Sequence, residues 1–114
     1  MGNQPSSSIR KANYEDIQSI ASAMTPPMHT YLINVLPANM QDCLIKNTVD
    51  AKNEEALVNR LLGEASTACI IVYGKNSSDV LAYHKYEQLL KLGFGNVAIY
   101  TGGLFEWLML QDIY

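Results

Sequence analysis

Few side chains in this 114-residue chain carry the chemistry of a nucleophile, a metal ligand or a general base. The candidates are Cys43 and Cys69, His29 and His84, and the polar loop Gly74-Lys75-Asn76-Ser77-Ser78-Asp79, set between an apolar run and an amphipathic stretch. A cysteine attacks only as thiolate, which needs an electropositive, partly exposed setting such as a helix N-terminus. Cys69 instead opens the apolar run Cys69-Ile70-Ile71-Val72-Tyr73 and reads as a small buried hydrophobe. The histidines are isolated, and no spacing among His, Cys and carboxylates matches a metal site, so neither metal nor cofactor is expected. The loop offers backbone N–H groups ahead of a helix starting near Val80, a nest of the kind that binds anions, with Lys75 adding charge. Asp79 opposes that reading, because a capping carboxylate there occupies the same spot. At the other end, Met1-Gly2-Asn3-Gln4-Pro5-Ser6 matches the N-myristoylation pattern, with Gly2 as acceptor. Only Arg10 and Lys11 follow as basic residues, and one acyl chain alone gives reversible membrane contact.

The elements that position these residues follow from periodicity. Residues 1–8 read as a flexible polar tail and 9–114 as one domain, opening with a short edge strand at Ile9–Lys11. Asn13 caps a helix with Tyr14, Ile17, Ile20 or Ala21, and Met24 near one face, ended by Pro26-Pro27. Tyr31-Leu32-Ile33-Asn34-Val35-Leu36 suits a central buried strand, and Cys43-Leu44-Ile45 a second extended piece. Lys52–Leu62 reads as a helix with Ala56, Leu57 and Leu61 inward and Gly63 as its terminator. Cys69–Tyr73 is the strongest strand. A second amphipathic helix follows, traced by Val80, Tyr83, Tyr86, Leu89 and Leu90 and closed by Gly93. Val97–Tyr100 is another buried strand, and Gly102-Gly103 turns into a Trp-bearing helix from Leu104 to Ile113. Strands alternating with helices at these lengths give an α/β fold in three layers, a mostly parallel central sheet with helices on both faces.

Composition excludes several classes. The chain is 48% apolar and 17% charged, which describes a folded domain. A net charge of −3 without a Lys/Arg cluster argues against nucleic-acid binding. Two cysteines are too few for a secreted disulfide framework, no apolar run reaches the roughly 20 residues of a membrane span, and no secretory signal precedes the domain. The expected location is cytoplasmic, with membrane association through Gly2.

The stretch Gly74 to Gln111 resembles the C-terminal half of a rhodanese-like (sulfurtransferase) domain. Leu89 to Trp107 follows that family's succession of Leu, Gly-Phe, Asn-Val, apolar strand, Gly-Gly and Trp, and its end is similar to rhodanese-like proteins of giant DNA viruses and some protists, for which the expected location is the virion. In the family, the strand ending at Tyr73 runs into a six-residue loop whose first residue is the catalytic cysteine. That position is Gly74. The family's Asp and Arg after the earlier strand correspond to Asn34 and Leu36, and its His-Ile-Pro-Gly-Ala segment is barely recognisable in Asp42–Asn47. The resemblance therefore implies the scaffold without the nucleophile: no catalytic residue, a vestigial loop at Gly74, Lys75, Asn76, Ser77, Ser78 and Asp79, and a binding or structural role with a protein partner or a second copy of the chain. A phosphatase reading fails on the same missing thiol. The candidate interface is one side of the last helix, at Phe105, Trp107 and Met109, although core packing is the plainer use of those residues. The alternatives are a sulfurtransferase or thiol-redox protein using Cys43, and an anion-binding domain at residues 74–79.

Overall fold

The computed structural model describes residues 9–25, 29–64 and 67–111. Its order is β1 (Lys11–Ala12), α1 (Tyr14–Ala21), β2 (Thr30–Asn34), a 3-10 helix (Ala38–Cys43), α2 (Ala51–Gly63), β3 (Cys69–Tyr73), α3 (Val80–Leu92), β4 (Val97–Tyr100) and α4 (Gly103–Gln111). The strands form one wholly parallel sheet in the order β1-β4-β3-β2. Alternation along β3 and β4 divides the core in two. Ile71, Tyr73, Ala98 and Tyr100 meet Ile17 of α1 and Leu104 and Trp107 of α4 on one face. Ile70, Val72, Val97 and Ile99 meet Leu61 of α2 and Ala82, Tyr86 and Leu89 of α3 on the other. The expected three-layer α/β architecture is what the chain adopts.

Local signals explain the element ends. Asn13 caps α1 in a reciprocal box, its Oδ1 accepting from Asp16 N–H at 2.9 Å while Asp16 Oδ2 accepts from Asn13 N–H at 3.0 Å. Gly93 closes α3 at φ 112°, a left-handed conformation that glycine adopts without a Cβ penalty.

Several expectations are corrected. β2 is an edge strand, not a central one; among the described residues its outer side is met by a single bridge from Leu32 to Thr48. Its apolar composition reflects helices on both faces, which an edge strand shares with a central one. Cys43 ends the 3-10 helix and does not begin a strand. α1 stops at Ala21, so Met24 is 95% exposed and not on the inner face. In α2, Ala56 points outward and Leu61 is the buried anchor, and Gly63 is the last helical residue, with Glu64 as cap. The inner stripe of α3 is Ala82, Tyr86 and Leu89, which turns Val80 and Leu90 to solvent. Pro26, Pro27, Met28, Ile113 and Tyr114 lie outside the described residues, as does the tail with Gly2.

Candidate functional site

The strand order creates one crevice. Chain connections step from β2 through α2 to β3 and through α3 to β4 on one face, whereas β1 reaches β2 through α1 on the other, the face that α4 also covers. At their C-terminal ends β3 therefore turns toward the α3 layer and β4 toward the α4 layer. Such a divergence is where open α/β sheets bind ligands. The loop at residues 74–79 leaves β3 at this point, and the Gly102-Gly103 turn leaves β4 beside it.

This crevice is filled from within. Asp79, buried at 7% exposure, folds its carboxylate back over the loop. Oδ1 accepts the N–H of Leu81 at 3.1 Å as the cap of α3, and Oδ2 accepts the N–H of Lys75 at 2.9 Å. Asn76 Oδ1 takes the N–H of Ser78 at 2.9 Å, and Asn76 O that of Asp79 at 3.2 Å. Four donors at the loop and helix start are thus held by the segment's own oxygens. A Cβ built on Gly74 would lie 2.4 Å from Asp79 Oδ2 and 2.8 Å from Asp79 Cγ. The carboxylate occupies the space that any side chain at the loop's first position would need.

From the opposite side, α4 seals the crevice. Gly103 stands at φ +65°, and a Cβ there would meet Gly74 O at 2.7 Å and Asn76 N at 2.9 Å. That close approach lets Leu104 N–H donate to Gly74 O at 2.9 Å and Phe105 N–H to Lys75 O at 2.8 Å. The first amides of α4, free in most helices, are consumed by the loop's carbonyls. Glu106 accepts from Tyr100 O–H at 2.7 Å, and burial together with this carboxylate pushes the Tyr100 phenol well above its ordinary range.

Neither cysteine enters this site. Cys69 starts β3, opposite Thr30 in register, at the other end of the strand from Gly74. Five residues of extended chain separate the two, roughly 16 Å. Burial pushes its thiol up, the Arg10 guanidinium offsets part of that, and Asp16 adds to it. Cys43 is exposed at the end of the 3-10 helix. Its neighbourhood is anchored by Tyr73, whose hydroxyl accepts Ile45 N–H at 3.1 Å and pairs with Thr48 Oγ1 at 2.8 Å. Asn34 is buried beside it, with Oδ1 accepting from Leu36 N–H at 3.0 Å and Gln41 Nε2 at 2.8 Å, while its Nδ2 meets no acceptor among the described residues. No metal-binding group of His, Cys, Asp and Glu occurs among the described residues, and both histidines are exposed.

The model of the Rhodanese-like domain family matches residues 32–110, from β2 into the last turn of α4. The chain belongs to the rhodanese-like domain family. Neither the curated proteins nor the solved structures yield a match. The rhodanese-like match spans the 74–79 loop and the Gly102-Gly103 turn. Of the expected interface, the structure separates the members: Trp107 is 9% exposed and stacks on Tyr14 at 5.3 Å between ring centroids, whereas Phe105 and Met109 are exposed, joined by Leu108. Sequence reasoning missed the reach of Asp79 back to Lys75 and the contact of Gly103 with Gly74. The first had a signal, an Asp at the cap position; the second is a long-range pairing with none.

Proposed function

We propose that this rhodanese-like domain does not transfer sulfur and acts as an interaction module. The observation that carries the reading is the Asp79 carboxylate standing where the side chain of the loop's first residue would be. Sulfur transfer requires a thiolate that accepts sulfane sulfur, held by loop amides and the positive end of the following helix. Here the first residue is glycine, the amides of Lys75 and Leu81 are held by a carboxylate, and the α4 amides are held by the loop. The same occupancy speaks against anion binding at the loop, since an incoming anion would compete with a buried carboxylate. The exposed side of α4, at Phe105, Leu108 and Met109, supports a protein-binding face next to the loop.

A thiosulfate:cyanide assay on the purified chain tests the reading, with no turnover above background expected. Turnover that vanishes in Cys43→Ala or in Cys69→Ala would overturn it and assign the sulfur carrier. The exposure of Cys43 favours it as the alternative nucleophile, because the Cys69 thiol is raised by burial.

Anchoring at Gly2 belongs to the same proposal. Hydrolysis of the Met1–Gly2 bond frees the glycine α-amine. The amine attacks the carbonyl of a long-chain acyl thioester, forming an amide and releasing the thiol, which takes up the proton the nitrogen loses. Intact mass from the native source should show loss of Met1 and gain of one C14 acyl group. An unmodified N-terminus would refute it. No helix among the described residues is long and apolar enough to cross a membrane.

A further inference from the structure

A cleft of about 290 Å³ lies between the β1 edge of the sheet and α1, away from the 74–79 loop. Strand register builds its floor. β1 pairs with β4 and β4 with β3, so Arg10, Ala98 and Ile71 fall in one row across the sheet. Ile99 N–H donates to Arg10 O at 3.0 Å and holds that row together. Cys69, two residues before Ile71, lies on the same face and is half-buried. Helix α1 crosses this floor and adds the buried Ile20, with Asp16 and Ser19 exposed at the rim. Lys11 borders the cleft as well, but alternation along β1 turns its side chain to the other face, where its register partner Ile99 packs.

One wall is therefore cationic and the other anionic. Arg10 is held from two sides: its N–H donates to Tyr86 Oη at 3.2 Å, and its guanidinium donates to Asn96 Oδ1. A guanidinium has five N–H donors, so capacity for a ligand is left. Asp16 Oδ2 accepts Asn13 N–H at 3.0 Å, and a carboxylate likewise accepts several bonds. Burial raises the Cys69 thiol most, the Arg10 guanidinium lowers it and the Asp16 carboxylate raises it, so both charges stand around the same sulfur. Yet the two do not pair with each other; the ion pair among the described residues is Lys85–Glu54. Opposite charges thus line one apolar-floored cleft without joining.

We propose that this cleft binds a small zwitterion, a free α-amino acid with an aliphatic side chain. The carboxylate meets Arg10, the ammonium meets Asp16, and the side chain lies over Ile71 and Ala98. A simple anion would gain from Arg10 and be repelled by Asp16, and a simple cation the reverse, so only a ligand carrying both signs gains from both walls. The volume falls just below the roughly 300–1,000 Å³ of pockets for drug-sized ligands, which sets the ligand at the size of a single amino acid. No residue of the 74–79 loop takes part, so the reading of that loop does not bear on this site.

The test is titration of the full chain near neutral pH and at low salt, followed by backbone amide chemical shifts. The probes are L-leucine, 3-methylbutylamine (leucine without its carboxylate) and 4-methylpentanoate (leucine without its ammonium). Leucine should shift amides around residues 10–12, 16–20 and 69–71 with a dissociation constant of about 1–10 mM, as suits a small ligand in an open cleft. Each analogue should bind about two- to fivefold more weakly, the worth of one exposed charge pair. This comparison needs no substitution. Arg10→Gln should weaken leucine by the same factor without weakening 3-methylbutylamine, and Asp16→Asn should weaken leucine without weakening 4-methylpentanoate. Lys75→Gln, in the distant loop, should alter none of the three. Absence of saturable shifts around the cleft, saturation centred on another surface, or equal affinity for the three probes would overturn the proposal. Losses for both variants that are the same with every probe would overturn the assignment of the two walls.

Discussion

Gly74 and Asp79 should behave as one unit in a double-substitution cycle. Gly74 carries no left-handed φ, so Gly74→Ala introduces no backbone strain; its nearest obstacle is Asp79, at 2.4 Å to Oδ2, 2.8 Å to Cγ and 3.0 Å to Cβ. The carboxylate must swing away and release Lys75 N–H and Leu81 N–H. Loss of the cap costs about 1 kcal/mol. Loss of a bond to a charged acceptor costs about 1.5–3 kcal/mol, near the low end here because the Lys75 amide is only partly buried and regains water. Gly74→Ala should therefore destabilise by about 2–3 kcal/mol. Asp79→Gly removes the obstacle and the Lys75 bond but keeps a residue type tolerated at a cap, for a loss of about 1.5–2 kcal/mol. In the double variant the alanine methyl no longer meets the carboxylate, so the total should stay near about 2 kcal/mol, not the about 3.5–5 kcal/mol of independent sites. Urea unfolding followed by Trp107, the single tryptophan, reads each value. Gly63→Ala is the control: nothing lies within 4 Å of its Cβ position, and a helical alanine should stabilise by about 0.5–1 kcal/mol. Losses for Gly74→Ala and Asp79→Gly that add to within about 0.5 kcal/mol would show that the carboxylate does not fill the side-chain position of residue 74.

The remaining expectations concern reactivity, packing and pH. Gly74→Cys alone should give a sluggish thiol, because the adjacent carboxylate raises its pKa; adding Asp79→Gly should speed alkylation by iodoacetamide near neutral pH about tenfold, one unit of pKa, and equal rates would refute the electrostatic account. Trp107→Ala should cost about 3–5 kcal/mol, read by circular dichroism, and a loss below about 1 kcal/mol would contradict its place against Tyr14. Burial raises Tyr100, Tyr73 and Cys69 above their ordinary values of 10.0, 10.0 and 9.0, so the fold holds their protons more tightly than the unfolded chain does. Their contribution to stability is complete below those unfolded values and is lost as pH rises past them. Thermal midpoints should thus fall above about pH 9–10, with Tyr73 and Tyr100 ionising only on unfolding, followed by phenolate absorbance. A midpoint flat through that range would refute it.

What the sequence disclosed was local, and what it withheld was pairing between distant segments. The capping box at Asn13, the left-handed close at Gly93 and the fully apolar β3 and β4 are each written within a few residues, and each is present. The face of α3 was misjudged because Val80 and Leu90 match Ala82 and Leu89 in apolar character, and only the direction from which the sheet approaches decides between them. The edge position of β2 was hidden for a similar reason, since covering both faces of a strand leaves no mark of a missing neighbour.

The loop shows the same division with a functional consequence. Its composition permitted two opposite readings, an anion nest and a capped turn. Asp79 alone could not choose, because a capping carboxylate that points outward leaves the amide of Lys75 free. In the structure the carboxylate turns inward to Lys75, and Gly103, twenty-nine positions after Gly74, brings the start of α4 onto the loop's carbonyls. Glycine at both 74 and 103 is what allows this approach, the first by yielding its side-chain space to Asp79, the second by its positive φ and contact with Gly74 O. A cysteine at position 74 and an open crevice would need that carboxylate elsewhere. Glycine at position 74 and the filled crevice are therefore linked, because the loop gives up side-chain space for the hydrogen bonds that fix α3 and α4 to the sheet.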